Sequence, residues 1–294
     1  MASPKQIYTA KLNEITARYL AREEAQVRQA VALLKELRQN IGVELTLSGS
    51  DFDTFKYKSL QANIERQLVA LEGELVNGLQ NSIEQVFLDG VEAVVEPLRA
   101  VGYDNAFFAP SRAQILTVSE FSADLIRGMT SEMLAKINAQ LRQGALGVLS
   151  PFELMQNITK ILGVGKQVVS GIALRAESIV RSELARIFNL ANYTAQQDTL
   201  DAIPDLLKRW IATGDSRTRP AHLEAHIKYM ENPIPAKEPF IVDGEELDYP
   251  GDPKGSPGNV IACRCRTQSI VPEIGVLASP LDARVKKQME LQEV

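Results

Sequence analysis

The chain has 294 residues and a mass of 32.4 kDa, room for two domains, with 45% hydrophobic and 23% charged residues, as in ordinary folded proteins. A formal charge of −5 and a pI near 5.3 exclude a dedicated nucleic-acid coat, because phosphate binding asks for a basic surface, but they leave room for a local basic patch. No apolar run is long enough to cross a bilayer, and the opening MASPKQIYTAKLNE lacks the apolar core of a secretory signal. Two cysteines build no disulfide framework, so the expected compartment is a reducing one.

The first two hundred residues read as long helices. From Pro4 to about Asn40 the chain is rich in Ala, Leu, Glu, Lys and Arg, all good helix formers, and SGSDFD at 48–53 breaks the run. Leu60, Ile64, Leu68, Leu71, Leu75, Leu79, Ile83, Val86 and Phe87 then mark one face of a second helix, closed by Pro97 and Gly102. A third helix is expected from about Ser111 to Arg142, with Val118, Phe121, Leu125, Met129, Met133, Ile137 and Leu141 as its stripe, ended by Gly144 and Gly147. Ser150-Pro151-Phe152-Glu153 starts the next: serine caps, proline fits the first helical position, and glutamate reaches back to the cap amide. A further helix spans about Lys166 to Gln197, with Ile172, Ala176, Ile179, Leu184, Ile187 and Ala191 in register. These stripes describe packing surfaces and carry no chemistry of their own.

The character changes near residue 200. LLKRWIAT (206–213) alternates, holds the one tryptophan and reads as a strand. A loop, TGDSRTRPAH, leads into a short helix from about Arg219 to Met230. Asp243-Gly244 is a hairpin turn between Phe240-Ile241-Val242 and Leu247, and NVIACRCRTQSIV (259–271) reads as the last strand. The tail from Pro272 is expected to be a peripheral helix or partly disordered. The fold expectation is therefore mainly α: an elongated helical region over 1–200, a small α+β domain over 201–271, and a tail over 272–294.

Chemistry concentrates in the small domain. Cys263 and Cys265 are the only thiols, and alternation puts both on one strand face with Arg264 on the other. His222 and His226, the only histidines, stand four apart on one helix face. Two sulfurs and two imidazoles are the ligand set of a tetrahedral zinc site, and two small buried side chains explain the cysteines equally well. A redox pair fits less, because Cys-x-Cys lacks the helix N-terminus that activates a thiolate. Asp215, Arg217, Arg219 and His222 form a second constellation, suited either to a phosphate contact or to a loop held by its own ion pairs. Arg181 and Glu183 admit a salt bridge that fixes their helix. LGVGKQ (162–167) lacks the spaced first glycine and the trailing hydroxyl of a phosphate loop, and there is no Gly-x-Ser-x-Gly or His-Glu-x-x-His. The acids Asp243, Glu245, Glu246, Asp248 and Asp252 read as a solvated hairpin, with spacing unlike a calcium loop.

In order, Arg181-Ser182-Glu183, Trp210, Asp215-Ser216-Arg217-Thr218-Arg219, His222, Phe240-Ile241-Val242-Asp243-Gly244, Tyr249-Pro250-Gly251-Asp252-Pro253 and Cys263-Arg264-Cys265 resemble the phage Mu F-like minor head protein family, also called phage head morphogenesis proteins. The resemblance covers about residues 175–270. It departs at Ala262, where the family has asparagine, and at Glu224-Ala225-His226, where the family has a Leu-Asp-Gly turn. It therefore supports His222, Cys263 and Cys265 as metal positions and not His226, with Asp215 as a conceivable fourth ligand. The resemblance implies a non-enzymatic virion protein of few copies, assembled in host cytoplasm and bound at the portal vertex inside the capsid. Its expected partners are the portal protein, the major capsid protein and phage double-stranded DNA, with no membrane. Arg217, Arg219, Arg264 and Arg266 are the candidate DNA contacts; Arg181, Glu183, Trp210, Asp215 and His222 are expected to order the domain. The competing expectation is a metal-dependent nuclease or toxin-like enzyme acting on phosphodiesters.

Overall fold

The computed structural model describes residues 2–47, 54–103, 112–164, 171–276 and 280–291. The expected break at 48–53, the first residue of the third helix, the second half of the LGVGKQ loop and the opening residues of the helix expected from Lys166 lie outside them. The protein is mainly helical with a small α+β region toward its C-terminus, as the sequence predicts. The long helices are α1 (Pro4–Leu47), α2 (Thr54–Arg99), α3 (Arg112–Ala145), α4 (Pro151–Leu162) and α5 (Gly171–Thr199). After them come β1 (Leu207–Ile211), α6 (Pro220–Glu231), β2 (Ile234–Pro235), β3 (Phe240–Val242), β4 (Glu245–Leu247), α7 (Pro257–Val260), β5 (Arg266–Ile270) and α8 (Pro280–Glu290).

The helix signals act as read. Every position of the α2 stripe from Leu60 to Phe87 is buried. Ser150 caps α4 in a full capping box, its hydroxyl accepting from the Glu153 amide while Glu153 accepts from the Ser150 amide. Pro97 sits in the last turn of α2, and Gly102 follows at φ 97°. One stripe is out of phase: Phe121 is 56% exposed, and Ala123, Ile126, Met129 and Met133 carry the buried face of α3. With 3.6 residues per turn, a ring placed one position off the seam faces water.

The chain divides into two compact units, and the division falls inside helices rather than at residue 200. One unit comprises residues 24–82 and 117–180; the other comprises 1–23, 83–116 and 181–294. The first is all-helical among its described residues, with Leu34, Ile41, Ile64, Leu75, Met133, Ile137, Leu154 and Ile158 in its core. Polar ties supplement that core, including Ser82 donating to Gln26 at 2.8 Å and a short contact between Thr130 and Glu72.

The second unit wraps helix ends around the sheets. A boundary drawn from composition at residue 200 misses this, because the apolar face of the small module is covered by helices from elsewhere in the chain. Tyr19 of α1 stacks on Phe188 of α5 with ring centroids 4.3 Å apart, and Gly90 of α2 packs against the α5 backbone at Phe188. Strands β2, β1 and β5 form one antiparallel sheet in that order, with Trp210 opposite Thr267 and Ile211 opposite Arg266. Strands β3 and β4 pair as a hairpin whose turn residues, Asp243 at φ 50° and Gly244 at φ 76°, both adopt the positive φ that a tight two-residue turn requires.

Two expectations change. The last strand begins at Arg266 rather than Asn259, because Ser256-Pro257 starts the short turn α7 and Ala262, at φ 54°, bends the chain before the ladder can form. The tail supplies a core residue: Val285 of α8 is fully buried with Trp210, Leu223 and Phe240. Gly214 is what lets α8 approach, since a Cβ there would stand 2.7 Å from Val285 Cγ2 and its φ of 67° is itself a glycine conformation.

Candidate functional site

Helix α6 turns His222, Leu223, Ala225, His226 and Tyr229 inward. Above it lies Trp210 of β1, edge-on to both His222 and Phe240 at 5.4 Å between centroids. The segment between α7 and β5 closes over this layer. Although Cys263 and Cys265 precede the strand, their side chains are buried at 3% and 2% exposure while Arg264 between them points to the loop after β1. The inward–outward alternation survives without a ladder.

His222, Cys263 and Cys265 meet, with their ligand atoms all within 4.8 Å of one another. His222 Nδ1 lies 3.3 Å from Cys265 Sγ and 3.7 Å from Cys263 Sγ. Its other nitrogen, Nε2, is 3.2 Å from Asn259 Oδ1, and Asn259 Nδ2 donates to the Val242 carbonyl at 3.4 Å. That second bond orients the amide, so its oxygen faces the imidazole and takes the Nε2 proton. Nδ1 is then left as a lone pair aimed at the two sulfurs, the arrangement in which an outer hydrogen bond fixes the tautomer of a ligating histidine. A hydrogen bond from Cys265 pulls the Cys263 thiol well below its ordinary pKa, whereas burial holds Cys265 well above its own. The Trp210 indole favours the Cys265 thiolate and has no other acceptor among the described residues. This buried trio can in principle hold a metal ion.

His226 does not join it. Its Nδ1 accepts from the Ala212 amide at 3.2 Å, a bond that ties α6 to the end of β1. Asp215 is committed as well. Arg264 grips it through two bonds of 2.6 Å, Nη1 to Oδ2 and Nη2 to Oδ1, and Oδ1 also accepts from the Arg217 amide and the Thr218 hydroxyl, each at 3.1 Å. The guanidinium holds the Asp215 carboxyl far below the usual carboxylate range. Among the described residues, the metal-ligating side chains of the cluster are therefore three.

The other predicted site residues scatter. Arg181 donates to Glu23 of α1 at 2.6 Å, and Glu183 pairs with Arg186 one turn along α5. Of the four arginines expected to meet DNA, Arg217 is exposed and Arg219 is partly exposed, donating to the Ile261 carbonyl at 2.6 Å. Arg264 is spent on Asp215, and Arg266 is buried. The acidic hairpin is also more internal than expected: Asp252 is buried and accepts from the Asp248 and Lys254 amides. A small cleft, about 210 Å³ with its open mouth, adjoins the trio and is lined by Arg217, Arg219 and Ala262.

Sequence reasoning missed Asn259 and Asn189. Asn189 of α5 is fully buried, donates to the Pro250 and Cys265 carbonyls at 3.0 and 2.9 Å, and accepts from the Thr267 amide at 3.0 Å. One side chain thus fixes both ends of the segment that carries Cys265. A signal existed: Asn189, Asn192 and Gln196 repeat at helical spacing on the buried side of α5.

No protein-family model matches this chain, and no curated protein or solved structure is significantly similar to it.

Proposed function

We propose that this protein is a structural minor head component of a tailed phage, bound at the portal vertex and acting in head assembly, DNA packaging or DNA delivery. In this reading the C-terminal module is a folding and docking unit stapled by zinc on His222, Cys263 and Cys265. The observation that carries it is how the motif residues are used. Asp215, Arg264, Arg181 and Trp210 are all taken up in internal contacts, the use that a domain-ordering role asks of them. The resemblance over residues 175–270 supplies the phage context, and portal protein, major capsid protein and packaged DNA are the partners it brings.

The donor set fits zinc. At Zn–N and Zn–S lengths of about 2.1 and 2.3 Å, a tetrahedral site separates its nitrogen and sulfur by about 3.5 Å. The His222–cysteine separations of 3.3 and 3.7 Å bracket that value. Bound there, the ion would tie α6 to the chain entering β5 and keep both thiolates ionised.

The cleft beside the trio favours one second reading. Three protein ligands beside a cleft that Arg217 and Arg219 also line would suit a catalytic zinc, which keeps a position open for water or substrate, and such a site would act on phosphodiesters. Plasmid nicking by the purified protein with added zinc, abolished by His222→Ala, would establish it. The structural reading expects no cleavage. It also expects co-purification with the portal oligomer and a few copies in each particle by quantitative mass spectrometry. Protein found only free in infected cells and absent from particles would overturn it.

A further inference from the structure

Arg266 is the one arginine of the Cys-Arg-Cys-Arg run left without work. It opens β5 opposite Ile211 and is 8% exposed, yet no hydrogen bond or ion pair holds its guanidinium among the described residues. Neighbouring cations differ: Lys208 donates to the Asp248 carbonyl at 2.7 Å, Arg209 to Gln268 at 2.7 Å, and Arg264 grips Asp215. Tyr19, Cys265 and Glu23 act on Arg266 only through space, and the two Glu23 oxygens are taken by Arg181 at 2.6 Å and the Tyr19 hydroxyl at 2.8 Å. A buried, unpaired charge is costly and calls for a counter-charge.

Arg266 lines a half-open cleft inside the unit that holds the sheets. Leu12, Ala93, Phe188 and Ile211 make its apolar walls, and Thr16 of α1 stands at its partly exposed side. A mostly apolar cleft with one convergent charge is a recurring form of small-molecule site. We propose that this cavity binds a small molecule carrying one carboxylate on a short apolar body, with Arg266 receiving the carboxylate. A single guanidinium matches a single negative charge and offers the planar fork that a carboxylate fits. Asn13, Thr16, Thr267 and Gln268 also line the cleft, but Arg266 is its one cation, so a phosphate dianion would bring a second charge with no counter-charge to meet it. The cleft shares no lining residue with the metal trio, and the proposal stands whether or not the phage reading holds.

Calorimetric titration of the full-length protein with butyrate, butyramide and inorganic phosphate tests this. Butyrate is expected to bind with saturable heat in the millimolar range or tighter, with butyramide and phosphate weaker by about tenfold or more. Arg266→Gln should weaken butyrate by about tenfold or more. Thr16→Trp, which fills the chamber from its wet side and leaves Arg266 in place, should abolish binding and decides the matter if Arg266→Gln does not fold. No butyrate binding at about 10 mM, equal binding of butyramide, tighter binding of phosphate, or full binding by Thr16→Trp would each overturn the proposal.

Discussion

Replacing Asp215 with asparagine changes one oxygen to an amide and removes one charge. In the native protein that carboxylate receives two bonds of 2.6 Å from Arg264, plus the Arg217 amide and the Thr218 hydroxyl. Their side chains are 20% and 16% exposed, so the pair is mostly but not wholly withdrawn from water. Breaking a fully buried pair from one side costs about 3–5 kcal/mol, whereas an exposed pair contributes about 0–1 kcal/mol. Between these limits, and with Asn retaining an acceptor for Arg217 and Thr218, Asp215→Asn should cost about 2–3 kcal/mol. Trp210 is the only tryptophan and is fully buried in the same core, so urea unfolding followed by its fluorescence reports this module directly. The double variant with Arg264→Met should recover about 1 kcal/mol or more of the sum of the single costs, because it removes the orphaned charge along with its partner. A cost for Asp215→Asn below about 0.5 kcal/mol, or strict additivity with Arg264→Met, would refute the pair's role as the loop's anchor. The pH sign is fixed too. The folded carboxyl titrates below the unfolded one, so its stabilisation is complete above the unfolded pKa of about 4 and fades only as pH falls toward the lower folded value.

Three further outcomes are expected. Asn189→Leu removes three buried hydrogen bonds and strands their backbone partners, and should lower stability by about 3 kcal/mol in the same urea assay. Gly90→Ala places a Cβ 2.4 Å from the Phe188 carbonyl oxygen and should cost about 2–3 kcal/mol, while Gly128→Ala, with nothing within 4 Å, should gain about 0.5–1 kcal/mol; calorimetric melting distinguishes them. Burial lowers Lys208 to about 8, so the charged form is disfavoured in the fold; stability should rise as pH increases from 8 toward 9.5, where the folded lysine has lost its proton and the unfolded one has not. Lys208→Met should flatten that slope in urea titrations.

The helical register was legible because it rests on spacing alone. The α2 stripe, the Ser150 capping box and the Asp243-Gly244 turn each depend on residues within a few positions of one another. The gathering of His222 with the two cysteines was legible as a ligand set, yet its tautomer was not, because Asn259 is oriented by the carbonyl of Val242, seventeen residues away. Position along the chain also misled. Alternation in NVIACRCRTQSIV suggested one strand, but Pro257 and the positive φ of Ala262 divert its first half. Arg266 was expected among the DNA contacts, and only the packing of α1 and α5 over β5 shows that it is inside. The domain boundary failed for the same reason: Tyr19 and Phe188 complete a core whose sheet lies at the other end of the chain.

Metal content, paired with melting, tests the reading of the trio most directly. Protein purified without chelator should carry about one zinc per chain, and removing it should lower the Trp210 fluorescence midpoint by about 10 °C or more, as should His222→Ala. Metal-free protein whose Trp210 transition is unchanged by zinc or chelator would contradict the account and leave the three side chains as a hydrogen-bonded core.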